Sequence, residues 1–295
     1  MIEKRAYAKI NLFLDIENLR NDGYHNIKSI MQTVDWFDVI QVEKSISDNI
    51  KITCDNKKIP TDSSNIVFRV ARAFLNELNV NEGINIRIQK NIPMSAGLAG
   101  GSADGAATLE ALNELYGFPF NTEQLVSIGK NIGADIPFCI LGGTKMISGI
   151  GEIMEECSQM PDCFIVCAKM TENGVSTPQA YKELDNIYCD FVGYKYSADK
   201  LKKILNAMSE NNISDMCRNM FNIFEEAIAV EHSSVNQIKN IMKKSGAVHA
   251  MMSGSGPSVF GIFTNKDQAD AVCDELIKKG AKAKVCIPIN KRELN

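Results

Sequence analysis

Residues 90–107, Lys-Asn-Ile-Pro-Met-Ser-Ala-Gly-Leu-Ala-Gly-Gly-Ser-Ala-Asp-Gly-Ala-Ala, constrain the fold more than any other stretch of this chain. Just before them Ile84, Ile86 and Ile88 alternate with Asn85, Arg87 and Gln89, the period of a half-buried strand. Just after them Leu109, Leu112, Leu115 and Tyr116 recur at helical spacing until Gly117 supplies a stop. The order is therefore strand, glycine-rich loop, helix. Gly97, Gly100 and Gly101 let backbone N–H groups approach an anion with no Cβ in the way, and the helix behind them offers unpaired N–H groups and the positive end of its dipole. A phosphate suits that place.

The common phosphate loops do not match. Gly100 and Gly105 have Walker A spacing, but Ala106 and Ala107 stand where Lys and Ser or Thr are needed. No G-x-G-x-x-G occurs either, so a Rossmann dinucleotide site is unsupported. Taken alone, the loop is equally well a tight turn. With 295 residues the chain forms one large or two ordinary domains. A net charge of −4 argues against a general nucleic-acid or membrane surface, so an anion site has to be locally basic. Nine cysteines without a C-x-x-C pair read as reduced thiols of a cytoplasmic protein, Cys163 and Cys167 as core. Glu3, Lys4 and Arg5 open the chain without a long apolar run, which predicts neither signal peptide nor membrane span.

Along the chain, residues 6–15 alternate as a strand, placing Lys9 and Asn11 on one face roughly 7 Å apart. With Tyr7 and Phe13 beside them, that face reads as a cleft wall as well as a solvated surface. Asn21-Asp22-Gly23 makes a turn that presents Tyr24 and His25 together. Strands are expected at 29–34 and 38–42 around Trp36, and a helix at 65–78 with Asn65 as its N-cap. Another helix follows at 121–130, opened by a partial capping box of Asn121 and Gln124. Asp135, before Pro137 and an apolar run, reads as a further N-cap. Near residues 149–157 the pattern changes, so domains are expected at 1–155 and 156–295. A strand at 162–169 leads into a loop over 171–178, then Tyr181. Helices are expected at 198–210, 221–229 and 235–244. The tail reads strand, loop Ser253-Gly-Ser-Gly-Pro257, strand, helix, strand; with the helix before it this is most of a ferredoxin-like unit.

The string Pro93-x-x-x-Gly97-Leu98-Ala99-Gly100-Gly101-Ser102 resembles the ATP-binding motif of the GHMP kinases, a family that includes galactokinase, homoserine kinase and mevalonate kinase. Ala8-Lys-Ile-Asn-Leu12, Asp22-Gly-Tyr-His25, Gly133-Ala-Asp-Ile-Pro-Phe138 and Ser253-Gly-Ser-Gly256 extend the resemblance over nearly the whole chain, least over residues 186–233. They are similar to the branch of that family whose acceptor is cytidine-diphosphate methylerythritol, in the non-mevalonate isoprenoid pathway. The resemblance implies an α+β, two-domain fold, with a ribosomal-protein-S5-like N-terminal domain and a ferredoxin-like C-terminal domain. It implies Lys9 and Asp135 as catalytic residues. It implies that ATP, arriving with Mg²⁺, is held by Asn65, Pro93, Met94, Ser95, Ala96, Gly97, Leu98, Ala99, Gly100, Gly101, Ser102 and Ala103. Asn11, Tyr24, His25, Thr177 and Tyr181 would hold the acceptor, with no dedicated metal ligands and a small molecule as the only partner. Ser95 and Ala99 stand where many relatives carry Gly, and Ala103 where a second Ser is frequent. A sibling kinase acting on homoserine, mevalonate or a sugar, and a non-catalytic nucleotide- or RNA-binding module, remain as other readings.

Overall fold

The computed structural model describes residues 1–170, 176–231 and 233–290. Its contacts divide the chain into two units, neither of which is continuous in sequence. The first unit comprises residues 1–8, 36–92 and 99–141; the second, residues 9–35, 93–98 and 142–295.

Two long strands, β1 (Ile2–Leu19) and β2 (His25–Ser45), run through both units. The remaining elements of the first unit are β3 (Ile50–Cys54), α1 (Ile66–Glu77), β4 (Gly83–Gln89), α2 (Gly100–Leu115), α3 (Thr122–Lys130) and α4 (Ile136–Leu141). In β4 the alternation is realised: Ile84, Ile86 and Ile88 are buried while Arg87 and Gln89 are exposed. The strand pairs antiparallel with the second half of β2 and parallel with β3. Helix α1 buries Val67, Val70, Ala71, Phe74 and Leu75, each large side chain contributing about 1.5–3 kcal/mol. Gly105 lets α2 approach it, since a Cβ there would sit 2.9 Å from Ile66 Cγ2. The capping box of α3 is complete, Asn121 and Gln124 bonding each other's backbone N–H.

The two strands expected at 29–34 and 38–42 are one. What keeps β2 continuous is that its polar interruptions find partners off the strand. Trp36 Nε1 donates to Asn91 O at 3.0 Å, and the buried Asp38 carboxylate accepts the backbone N–H groups of Asn91 and Ile92.

The second unit adds β5 (Thr144–Ser148), β6 (Ile153–Glu156), β7 (Phe164–Lys169), α5 (Thr177–Tyr188), α6 (Ala198–Ser209), α7 (Ile213–Asn219), β8 (Phe221–Asn222), α8 (Phe224–Glu231), α9 (Ser233–Lys244), β9 (His249–Met252), β10 (Val259–Phe263), α10 (Lys266–Lys278), β11 (Lys282–Cys286) and β12 (Pro288–Ile289). One antiparallel sheet has the order β11-β7-β10-β9. With α9 and α10 connecting its strands it is a ferredoxin-like layer, β7 being its first strand. In the other sheet, β2 pairs with β5 and β12 through residues 29–34, and β1 pairs with β8 at Phe13 and Leu14. Three expectations change. The helix expected from 221 begins at Phe224, after a two-residue strand, because Asn222 caps it through Phe224 N–H (3.1 Å) and ties its amide to Met252 O and Gly254 O. Helix α7 was not expected. Residues 171–175 of the expected loop lie outside the described residues, and Thr177 and Pro178 already belong to α5.

Candidate active site

In the first unit the site is built on the start of α2. Its N-cap, Ala99, has φ +56° and supplies no side-chain bond, and the first intrahelical bond runs from Ala103 N–H to Ala99 O at 2.9 Å. Helix geometry therefore leaves the N–H groups of Gly100, Gly101 and Ser102 without an intrahelical acceptor. The glycines do different work. A Cβ on Gly101 would meet only Ile66 Cδ1, at 3.6 Å, on an exposed face, whereas a Cβ on Gly100 would point inward at Ile92 (3.1 Å) and Lys90 Nζ (3.4 Å). Ala103 is buried, so neither its side chain nor its N–H faces outward.

Beneath this turn Lys90 Nζ donates to Asp104 Oδ2 at 2.7 Å and to Asp38, all three buried. Burial pulls the Lys90 pKa down, but Asp104 and Asp38 outweigh it and the net direction is up. Burial drives the Asp104 carboxyl well above its ordinary range, against the pull of Lys90.

Ser102 Oγ lies 3.7 Å from the Cβ position of Gly133, which puts the turn before Asp135 against α2. The carbonyl of Asp135 accepts Cys139 N–H (3.0 Å), so a carboxylate heads α4. Asn65 caps α1 as expected, accepting Val67 N–H at 2.8 Å, and spends its amide N–H on Pro60 O at 2.6 Å.

In the second unit Lys9, 5% exposed, donates from Nζ to Asn11 Oδ1 at 2.7 Å. Asn11 donates to Ser29 Oγ (2.9 Å), and Ser29 donates to Phe13 O (2.6 Å). That chain fixes both polar side chains in one orientation. Lys9 N–H also bonds Leu98 O at 3.1 Å. The segment Pro93–Leu98 is thus held by β1 on one side and by the Ser253–Ser258 loop on another. Ser253 Oγ donates to Gly97 O at 2.9 Å, and a Cβ on Gly97 (φ +73°) would fall 2.0 Å from Ser253 O. Gly97 is required for that backbone contact. Ala96 and Leu98 turn their side chains into the interior and Pro93 is buried as well.

Lys169, at the end of β7, donates to Met94 O (2.6 Å) and Ser95 O (3.1 Å), bracing a residue with φ +46°. Sequence reasoning missed Lys169; the only signal was a lysine closing an otherwise apolar strand.

The acceptor-binding candidates gather elsewhere in the second unit. His25 is buried, its Nε2 2.6 Å from Asp185 Oδ1. Tyr181 stacks on its ring (4.8 Å, 20°) and Phe191 meets it edge-on (5.6 Å, 74°). Tyr181 also turns toward Phe224 (4.9 Å, 86°), while Tyr24 is 60% exposed. Thr177 Oγ1 and Ser255 Oγ are 2.9 Å apart. His25 and Tyr181 are therefore packed into this unit, while Thr177, exposed apart from its contact with Ser255, and Tyr24 stand out from it.

Residues 65–143 match the GHMP kinases N terminal domain, and residues 197–282 the GHMP kinases C terminal domain. A relative from Caldicellulosiruptor saccharolyticus is 42% identical over 92% of this chain and 91% of its own length. One from Clostridium beijerinckii is 39% identical over 93% and 95%. The chain belongs to the GHMP kinases, which use ATP. Both relatives are named 4-diphosphocytidyl-2-C-methyl-D-erythritol kinase, and it is in that branch of the family that the chain falls. A crystal structure of 4-(cytidine 5'-diphospho)-2C-methyl-D-erythritol kinase superposes with a TM-score of 0.81 at 26% identity, covering 97% of this chain and 99% of that one. Homoserine kinase from Cytophaga hutchinsonii (TM-score 0.75, 20% identity, 99% and 95% covered) shares the fold.

Proposed function

We propose that this kinase transfers the γ-phosphoryl group of ATP to the 2-hydroxyl of 4-diphosphocytidyl-2-C-methyl-D-erythritol, giving the 2-phosphate and ADP, in the non-mevalonate route to isoprenoid precursors. The observation that carries the reading is the start of α2, three N–H groups open beside an exposed glycine, with Ser102 against the turn that leads to Asp135. An anion is stabilised there by the helix dipole and the free donors. Those donors fit the phosphates of ATP, with Asn65 toward the nucleotide end through the approach of Ile66 to Gly101.

Phosphoryl transfer asks chiefly for positioning and charge stabilisation. The acceptor oxygen forms a bond to the γ-phosphorus as the bond to the β,γ-bridging oxygen breaks. The hydroxyl proton passes to the Asp135 carboxylate. A carboxylate is a far weaker base than an alkoxide, so that proton leaves late, as the new bond forms. Lys9 offsets charge growing on the transferring group, and Asn11, locked by Ser29, orients the acceptor. Mg²⁺ would neutralise the phosphates. Phosphate oxygens and water would be its chief ligands. Tyr24 and Tyr181 would flank the cytosine, His25 its edge, with Thr177 nearby. Residues 1–155 would then carry the ATP site together with Asn11, Tyr24 and His25 of the acceptor site, and residues 156–295 the rest of the substrate domain, in a cytoplasmic enzyme with no nucleic-acid or membrane partner.

A coupled ADP-release assay with the cytidine-diphosphate substrate, run against homoserine and mevalonate, tests this. Turnover confined to homoserine or mevalonate overturns it in favour of a sibling kinase, and no turnover with any acceptor favours a binding module. Asp135→Asn should lower kcat by about 10²–10⁴ with little change in substrate affinity. Near-normal turnover would leave Asp135 as a helix cap alone.

A further inference from the structure

The ring of His25, a candidate base-reading side chain, is held on three sides. Asp185 lies one helical turn beyond Tyr181 on α5, so a single helix face delivers both the ring that stacks on His25 and the carboxylate that binds it. The His25 side chain is 7% exposed and that of Asp185 25%. The third side is Phe191, carried by three consecutive left-handed residues, Cys189, Asp190 and Phe191, at φ +49°, +56° and +62°. Such a run costs of order 1–3 kcal/mol per residue and persists only where its surroundings over-determine it. Here they do. Tyr188 OH donates to Glu226, Tyr194 OH to Asp15 Oδ1 (2.8 Å), and Ser197 N–H to Asp15 Oδ2 (2.7 Å).

A carboxylate only accepts, so its partner nitrogen must carry a hydrogen. In a neutral imidazole, Nε2–H toward Asp185 leaves Nδ1 with a lone pair, and Nδ1 makes no hydrogen bond among the described residues. Face and edge contacts from Tyr181 and Phe191 hold the ring in its plane, and the bond to Asp185 decides which nitrogen points inward. Cytosine offers an exocyclic amine, a donor, where uracil has a carbonyl oxygen. A lone pair at Nδ1 accepts from the first and repels the second.

We infer that Asp185 is a positioning residue that selects the Nε2–H tautomer of His25 and thereby sets the preference for a cytidine over a uridine diphosphate acceptor. The inference rests on the reading of His25 as facing the base, and its test separates the two. Protein labelled with ¹⁵N-histidine has three such residues, and the His25→Ala variant identifies the His25 signals. At a pH where the ring is neutral, wild type should show Nε2 protonated and Nδ1 pyridine-like. Asp185→Leu should lose that preference. The cytidine-to-uridine ratio of kcat/KM should fall about tenfold in Asp185→Leu, with KM for ATP unchanged. Asp185→Asn keeps an acceptor oxygen and should restore most of the ratio. If wild-type His25 carries its proton on Nδ1, the inference is overturned even should the leucine variant fail to fold. If His25→Ala collapses the ratio and Asp185→Leu leaves it intact, the role of Asp185 is overturned and the base site stands. If His25→Ala itself leaves the ratio unchanged, the base-site reading falls and takes the inference with it.

Discussion

Ser95 and Ala99 hold left-handed backbone, φ +46° and +56°, where an L-residue is strained by roughly 1–2 kcal/mol. Something must hold them there, and for Ser95 it is Lys169. Two charge-assisted bonds to Met94 O and Ser95 O make Lys169→Met cost about 2 kcal/mol in urea titrations. Ser95→Gly removes the strain, so the same change in that background should cost visibly less; equal costs would sever the link. Tyr24 and Tyr181 should separate in a similar way. A base stacked on an aromatic is worth about 1–3 kcal/mol, so either Tyr→Ala change should raise KM for the cytidine substrate by roughly 5- to 150-fold and spare ATP. Only Tyr181→Ala should also lower the melting temperature, because Tyr181 packs on His25 and Phe224 while Tyr24 stands in solvent. A Tyr24→Ala variant with weakened ATP and an intact acceptor KM would reverse the site assignment. At this scale Lys9, Asn11 and the glycines were legible, because their spacing on a strand or before a helix is itself a signal. Lys169 and Asp185 were not. Each acts on a partner far away in sequence, and for Lys169 that partner is backbone, which leaves no residue-type signature.

Helices and strands with a sustained period were legible, and those without one were not. Helix α7 has seven residues, too few for a periodic pattern, and exists because Asn212 caps it at Asp215 N–H (3.1 Å). Strand β2 was read as two because Asp35 and Trp36 interrupt the pattern between 34 and 38 until their bonds to Ile287 and Asn91 are seen. A half-buried polar group gives β9 a pH dependence. Burial, then the charges of Lys243 and Lys239, lowers the His249 pKa from 6.5 to about 4. In that window the unfolded chain takes up a proton that the folded one refuses. The contribution of His249 is therefore complete above pH 6.5 and declines as pH falls toward 4, by about 3 kcal/mol in total. Thermal melts between pH 7 and 4.5 should show the decline, and His249→Gln, which cannot charge, should flatten it. An unchanged slope would mean that other groups control acid unfolding.

At the scale of the molecule, both ends of the chain contribute to the second unit, residues 9–35 from the start and 142–290 from the remainder. Leu14 O accepts Ile223 N–H at 3.0 Å, and β12 pairs with β2 at Thr33 and Val34. Fragments 1–155 and 156–295 each lack partners that the other holds. Neither should unfold cooperatively by circular dichroism, whereas the intact chain should; two independently folding halves would contradict the interleaved division. No helix among the described residues is long and apolar enough to cross a membrane. The contact of Gly97 with Ser253 O has a practical side. With 2.0 Å between that oxygen and any Cβ at residue 97, two backbones more than 150 residues apart are cast as one mould. A library that randomises residues 95–99 alone would mostly sample chains that cannot close against Ser253. Transplanting the loop to another scaffold would require carrying residues 253–258 with it, because half of its shape is written there.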